Sequence, residues 1–168
     1  MPRLETIVVP VDFSETSDAA WRTACDLAAI AGSHLHLVHV CPEPLRHAWA
    51  VEAVTLDLDA VALEWLTEAH ENLARMPLPR GFLPGRVTRS ALLGPAASRI
   101  VEYAEAHDAD LIVMGTHGHG PLRRLLLGSV AERVLRTAPC PVMTVRASGR
   151  RSHRRREHRL AAAMRATA

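Results

Sequence analysis

Apolar residues recur along this chain in two rhythms. Short, β-branched runs read as buried strands: LETIVVPVD (4–12), HLHLVHVC (34–41), RVTRSALL (86–93), ADLIVMG (109–115) and PVMTVR (141–146). Between them, apolar positions return every three or four residues, the spacing of an amphipathic helix. The first such segment, 15–32, has Ser14 placed to cap it, Glu15 and Asp18 to complement its dipole, and Gly32 to stop it. Trp21, Ala24, Cys25, Ala28 and Ala29 form its expected inner face. The second, 59–76, offers Val61, Leu63, Leu66 and Leu73 to the core. A third helix is expected at 96–108 with Pro95 as its first residue, and a fourth at 129–138. Residues 45–57 fit a loop or a short helix, and 77–85 a loop. Five strands alternating with four helices predict an α/β fold, a parallel sheet covered on both faces. One domain is expected over 1–148, followed by a separate tail, 149–168.

Composition narrows the class without changing that picture. A chain of 168 residues is long enough to bury one sizeable core. No apolar run reaches the ~18–20 residues of a membrane-spanning helix, and MPRLETIVVPVD lacks the pattern of a secretory leader. Cys25, Cys41 and Cys140 form no CxxC pair, which favours a reducing, cytoplasmic setting. The net charge of +2 conceals an asymmetry: residues 1–148 carry 13 Arg against 17 acidic side chains, and 149–168 carry 7 Arg and one Glu. Like charges repel, so the tail is expected to be disordered. It suits a solvated extension, a weak non-specific contact with an anionic partner such as nucleic acid, or docking onto the acidic body. Every one of the 20 basic residues is Arg, which removes all lysine chemistry.

The candidate chemistry lies in GTHGHGPLRRLLLGSV (115–130), which holds four of the nine glycines directly after the apolar run LIVM. Glycine clusters mark backbone that bends unusually or approaches something closely. In an open parallel sheet, ligands bind beyond the carboxyl ends of the strands, where the strand order reverses. Asp12 ends the first strand there, and the glycine run feeds the helix that begins at Ser129 and Val130. Free amides at a helix start attract anions, so a phosphate-bearing ligand is one reading, with Asp12 facing its hydroxyl-rich end. A tight strand–helix connection shaped by glycine is the other. The histidines add little: His34 and His36 share one face of a strand and His39 the opposite one, with no spacing that implies a metal site.

The spacing Gly115-x2-Gly118-x9-Gly128-Ser129 resembles the nucleotide-binding signature of the universal stress protein family. IVVPVDFSETSDAA is similar to that family's opening strand and helix, LHLVHV to its second strand, and LLLGSVAERVLRTAPCPVMTVR to its close. The likeness covers roughly residues 4–147. It implies a five-stranded parallel sheet in the order 3-2-1-4-5 that binds ATP with Mg²⁺ as a homodimer joined through strand 141–146. Carried across, Asp12 with the adjoining backbone of Pro10 and Val11 would hold the adenosine end. The Val40 main chain would recognise adenine, and Met114 and Gly115 would line the pocket. Gly118, Gly128, Ser129 and Val130 would contact phosphate. Apart from what the resemblance carries over, His117 or His119 would reach phosphate only when protonated or through a neutral hydrogen bond. The protein partner of such a module is not named by its residues.

Other nucleotide folds fit less well. A P-loop needs GxxxxGK[ST], and there is no lysine. A response-regulator receiver resembles this layout but requires an aspartate after strand three, where SALLG stands, and a lysine after strand five. No GxGxxG opens the first helix, and DFSETS replaces the SGGxDS of ATP-cleaving adenylating relatives. Arg123 and Arg124 fit solvent-facing charges as well as phosphate contacts, and no nucleophile–base–orienter set is visible. The sequence therefore favours a nucleotide-dependent regulatory module in stress response over a slow ATPase or a dimeric scaffold without ATP.

Overall fold

The computed structural model describes residues 4–43, 58–78, 82, 84–116 and 127–147. Its elements follow the expected order. They are β1 (Thr6–Pro10), α1 (Glu15–Ala31), β2 (His34–Cys41), α2 (Leu58–Arg75), a 3-10 turn (Pro84–Arg86), β3 (Val87–Leu93), α3 (Ala96–Ala106), β4 (Leu111–Gly115), α4 (Ser129–Thr137) and β5 (Val142–Val145). The strands form one parallel sheet in the order β3-β2-β1-β4-β5. The chain thus winds one way from β1 to β3 and the other way from β4 to β5, which opens a crevice between β1 and β4 at the carboxyl edge.

The central strands are buried on both faces, which is why β1 and β4 read as continuous apolar runs rather than alternating ones. Ile7, Val9, Leu35, Leu37 and Val113 pack under α1 and α2 against Trp21, Ala24, Cys25 and Leu73. Val8, Val38, Ile112 and Met114 pack under α3 and α4 against Ile100, Ala104 and Val134. The large Trp21 finds a partner for its one polar atom, donating Nε1–H to the Pro77 carbonyl at 2.9 Å, which fastens the chain leaving α2 to α1. Gly32 ends α1 in the left-handed region at φ 76°, its N–H on the Ala28 carbonyl at 2.8 Å.

Four details differ from the sequence reading. Pro95 precedes α3 as its extended N-cap, at ψ 116°, instead of opening it. Leu63 is 66% exposed, because the covered stripe of α2 runs through Ala62, Leu66, Ala69 and Leu73 and leaves it to one side. Ala29 is likewise exposed, next to an inner face formed by Trp21, Ala24, Cys25 and Ala28. The expected loop 77–85 runs into the short 3-10 turn. The segment 45–57 assigned to loop or short helix, and the tail 149–168, lie outside the described residues.

Candidate functional site

The first wall of the crevice is the turn from β1 into α1. Pro10 and Val11 are buried, and Val11 donates its N–H to the Val38 carbonyl at 2.8 Å, one step past the last β1–β2 rung at Pro10–Val38. Asp12 then folds its carboxylate back over the turn. Its Oδ1 accepts the Ser14 N–H at 3.1 Å and the Ser14 hydroxyl at 2.5 Å, as aspartate does in an Asx turn. Phe13, between them, adopts φ 62°, a left-handed conformation uncommon for a bulky residue and a mark of strain that the surroundings must hold. Ser14 caps α1 as the sequence indicated, its side chain accepting the Ser17 N–H at 3.3 Å. Glu15 and Asp18 add negative charge to that first turn.

The second wall is the end of β4. Gly115 lies directly against the start of α1: a Cβ at this position would stand 3.0 Å from the Thr16 carbonyl carbon and 3.1 Å from the Ser17 nitrogen. Any side chain here would press on helix backbone, which cannot give way as a flexible side chain can. This glycine is therefore required by a neighbouring helix, whatever else it does. Beyond it, the buried Thr116 donates its N–H to the Val145 carbonyl at 2.9 Å and accepts the Gly128 N–H on its own carbonyl at 2.8 Å. The chain between 116 and 128 consequently departs and returns at one point.

At that point α4 begins. Gly128 is its N-cap, extended at φ −59° and ψ 148°, and supplies no side-chain acceptor. The Gly128 carbonyl takes the Glu132 N–H at 2.9 Å, and the Glu132 carboxylate leans toward Arg136 at 4.0 Å. The exposed Ser129 and Val130 begin the helix, whose first amides lack intrahelical acceptors by geometry. Met114 is only 5% exposed and its side chain belongs to the core beneath α3 and α4. Val40 is half-buried near the end of β2, one strand over from β1.

The structure thus gathers Pro10, Val11, Asp12, Val40, Met114, Gly115, Gly128, Ser129 and Val130 at the carboxyl ends of β1, β2 and β4 and the start of α4. His117 and Gly118 lie outside the described residues, as do Arg123 and Arg124. Two neighbours of this set escaped the sequence reading. Thr16 is the backbone that Gly115 approaches, and no pattern in the sequence announces such a contact. His39 places Nδ1 2.8 Å from the Val11 carbonyl and its ring 4.6 Å from that of Phe13. A polar residue near the end of an apolar strand was its only signal.

His34 and His36 sit at the other end of β2. His36 Nδ1 meets the Tyr103 hydroxyl at 3.0 Å, and that hydroxyl meets Ser90 Oγ at 2.9 Å. Burial first, then the charges of His107 and His34, push the His36 pKa down to about 4. Among the described residues no group of three or more His, Cys, Asp or Glu side chains is arranged to hold a metal ion. Nor is any described helix long and apolar enough to cross a membrane.

Comparison with known proteins agrees with this geometry. Residues 3–146 match the model of the universal stress protein family. A universal stress protein of Methanocaldococcus jannaschii is 34% identical over 146 residues, covering 83% of this chain and 81% of the relative. Universal stress protein G of Escherichia coli O157:H7 is 33% identical, covering 84% and 99%. Among solved structures, UspA from Lactobacillus plantarum superposes with a TM-score of 0.68 at 27% identity, over 87% of this chain and all of that one. A universal stress protein from Archaeoglobus fulgidus, solved in complex with dAMP, gives a TM-score of 0.55 at 26% identity, over 86% and 99%. In sequence, sheet order and crevice alike, this chain belongs to the universal stress protein family.

Proposed function

We propose that the chain is a nucleotide-binding regulatory module of the cytoplasm that takes ATP with Mg²⁺ in the crevice between β1 and β4. The observation that carries this is the pair of junctions at that crevice, one presenting a fixed carboxylate and the other a helix start without a side-chain cap. A polyphosphate fits the second of these, since uncapped amides and the positive end of the α4 dipole favour an anion. The dAMP complex of the Archaeoglobus fulgidus relative supports an adenine nucleotide as occupant.

In this reading Asp12, with the backbone of Pro10 and Val11, holds the adenosine end, and the Val40 main chain meets the base. Met114 and Gly115 border the pocket, while His117, Gly118, Gly128, Ser129 and Val130 serve the phosphates, with the metal carried by the nucleotide. Occupancy, rather than turnover, is then the signal passed on to a partner in stress response. The module occupies 1–148 and the Arg-rich tail acts apart from it, on a weakly held anionic partner.

A second reading rests on β5. It is an edge strand with Met143 38% exposed, and Leu135 of the adjoining α4 is 42% exposed, which suits pairing with a second copy into a homodimeric scaffold.

The test is to identify what nucleotide travels with the purified protein, by denaturing it and analysing the released ligand. ATP near one per chain, lost from a folded Gly118→Val, Gly128→Val double variant, is expected. ADP or AMP would favour hydrolysis. No ligand, and none taken up with added ATP and Mg²⁺, would leave the scaffold reading. Deleting 149–168 is expected to leave ATP affinity unchanged, and a loss of about tenfold or more would assign the tail to the site.

A further inference from the structure

The carboxyl end of β1 contains an irregularity that the nucleotide reading does not use. A parallel ladder runs in regular rungs, and after the Val11 N–H reaches the Val38 carbonyl the next rung would take the Val11 carbonyl to the Val40 N–H. The paired register stops short of that, at Pro10–Val38. The Val11 carbonyl has instead the imidazole of His39, with Nδ1 at 2.8 Å. A carbonyl can only accept, so Nδ1 carries the proton and donates it. A side chain has thus taken the place of a main-chain donor, and among the described residues the Val40 amide has no rung with β1.

The same ring meets a second part of the turn. Its centroid is 4.6 Å from that of Phe13, tilted by 34°, in the range where aromatic pairs attract. Phe13 is the strained residue of the turn, at φ 62°. It is followed by Ser14, whose N–H and hydroxyl both close on the Asp12 carboxylate. One half-buried ring on β2 therefore holds the peptide before Asp12 and the side chain after it.

We propose that His39 is a positioning residue for the adenosine end of the nucleotide. Its Nδ1–H replaces Val40 as the partner of the Val11 carbonyl, which frees the Val40 main chain for the base and fixes the turn that aims Asp12. This deepens the ATP-binding reading and rests on it. The role calls for a donor at the position of Nδ1, and asparagine carries its amide nitrogen at that point of the side chain, whereas phenylalanine keeps the ring and loses the donor.

The experiment measures dissociation constants of ATP, adenosine and inorganic tripolyphosphate for the full chain, His39→Asn and His39→Phe, with melting temperatures alongside. Loss of one hydrogen bond at a binding site corresponds to about tenfold in affinity. H39F is expected to weaken ATP and adenosine by about that factor while leaving tripolyphosphate unchanged, and H39N is expected to stay close to the unmodified protein. If H39F does not fold, His39→Leu, nearly the shape of asparagine without its donor, takes its place against H39N. The proposal is overturned if the donor-less variant binds ATP as the unmodified protein does. It is overturned too if tripolyphosphate weakens as much as ATP, since the damage is then general, or if H39N is as poor as the donor-less variant. An unmodified protein that takes up neither ATP nor adenosine also overturns it, but by removing the nucleotide reading itself, and that result is visible before any variant is made.

Discussion

Two strand–helix junctions face each other across the crevice, and they solve the problem of a helix start in opposite ways. Between β1 and α1 the helix start is served by side chains: Ser14 caps, Asp12 binds back on Ser14, and Glu15 and Asp18 add charge. Between β4 and α4 the cap is a glycine, and the contacts that define the corner run from main chain to main chain. The first junction is satisfied from within and carries negative charge, so it repels an anion and suits hydroxyl or base groups. The second withholds its own acceptor. A pocket that must take a molecule polar at one end and anionic at the other needs this division, and a pair of identical junctions would not supply it.

The comparison can be broken most severely at the place where the junctions touch. Gly115→Val should cost about 1–3 kcal/mol of stability, read by denaturant unfolding, because its Cβ would stand 3.0 Å from the Thr16 main chain. A variant as stable as the parent would mean the glycine exists for the ligand alone. Next in size is Gly128→Asp, which gives α4 the cap it lacks. Under the proposed function ATP affinity should fall by about tenfold while the melting temperature holds or rises slightly. Unaltered affinity would detach α4 from the phosphates. Ser14→Ala removes the cap on the other side and should cost about 1 kcal/mol, again by denaturant, with tripolyphosphate binding untouched.

The smallest effect sharpens the comparison by standing outside it. His36, at the far end of β2, has a pKa held near 4, below the ordinary 6.5, by burial and by His107 and His34. The unfolded chain then binds more protons than the folded one between those values, so stability falls as pH drops from about 6.5 toward about 4. His36→Gln should flatten that part of the profile of melting temperature against pH, and neither junction should respond.

How much of this the sequence discloses depends on whether the cause is local. Strand runs, helix periods, the Ser14 cap and the Gly32 stop are short-range, and the described elements follow them to within a residue or two. Sheet order is not short-range, and it came from resemblance instead of from any run of residues. Leu63 shows the limit of periodicity, which gives a helix an apolar side but not the angle at which its neighbours receive it. Gly115 shows another: the glycine run pointed toward a ligand, whereas this member of it meets Thr16, a residue far away in the chain. The left-handed Phe13 was not legible because nothing about phenylalanine favours that backbone, and only its surroundings impose it.

The hydrogen bond from Gly128 to Thr116 closes the corner of the β4–α4 junction on itself. A stretch of chain whose two ends are pinned together can be lengthened at slight expense, since doubling a loop adds only about 0.6 kcal/mol of closure entropy. Sheet and helix would register little of such a change. In evolutionary terms this corner is a socket: sequence inserted or exchanged there alters what the molecule presents at its carboxyl edge without renegotiating the fold that carries it.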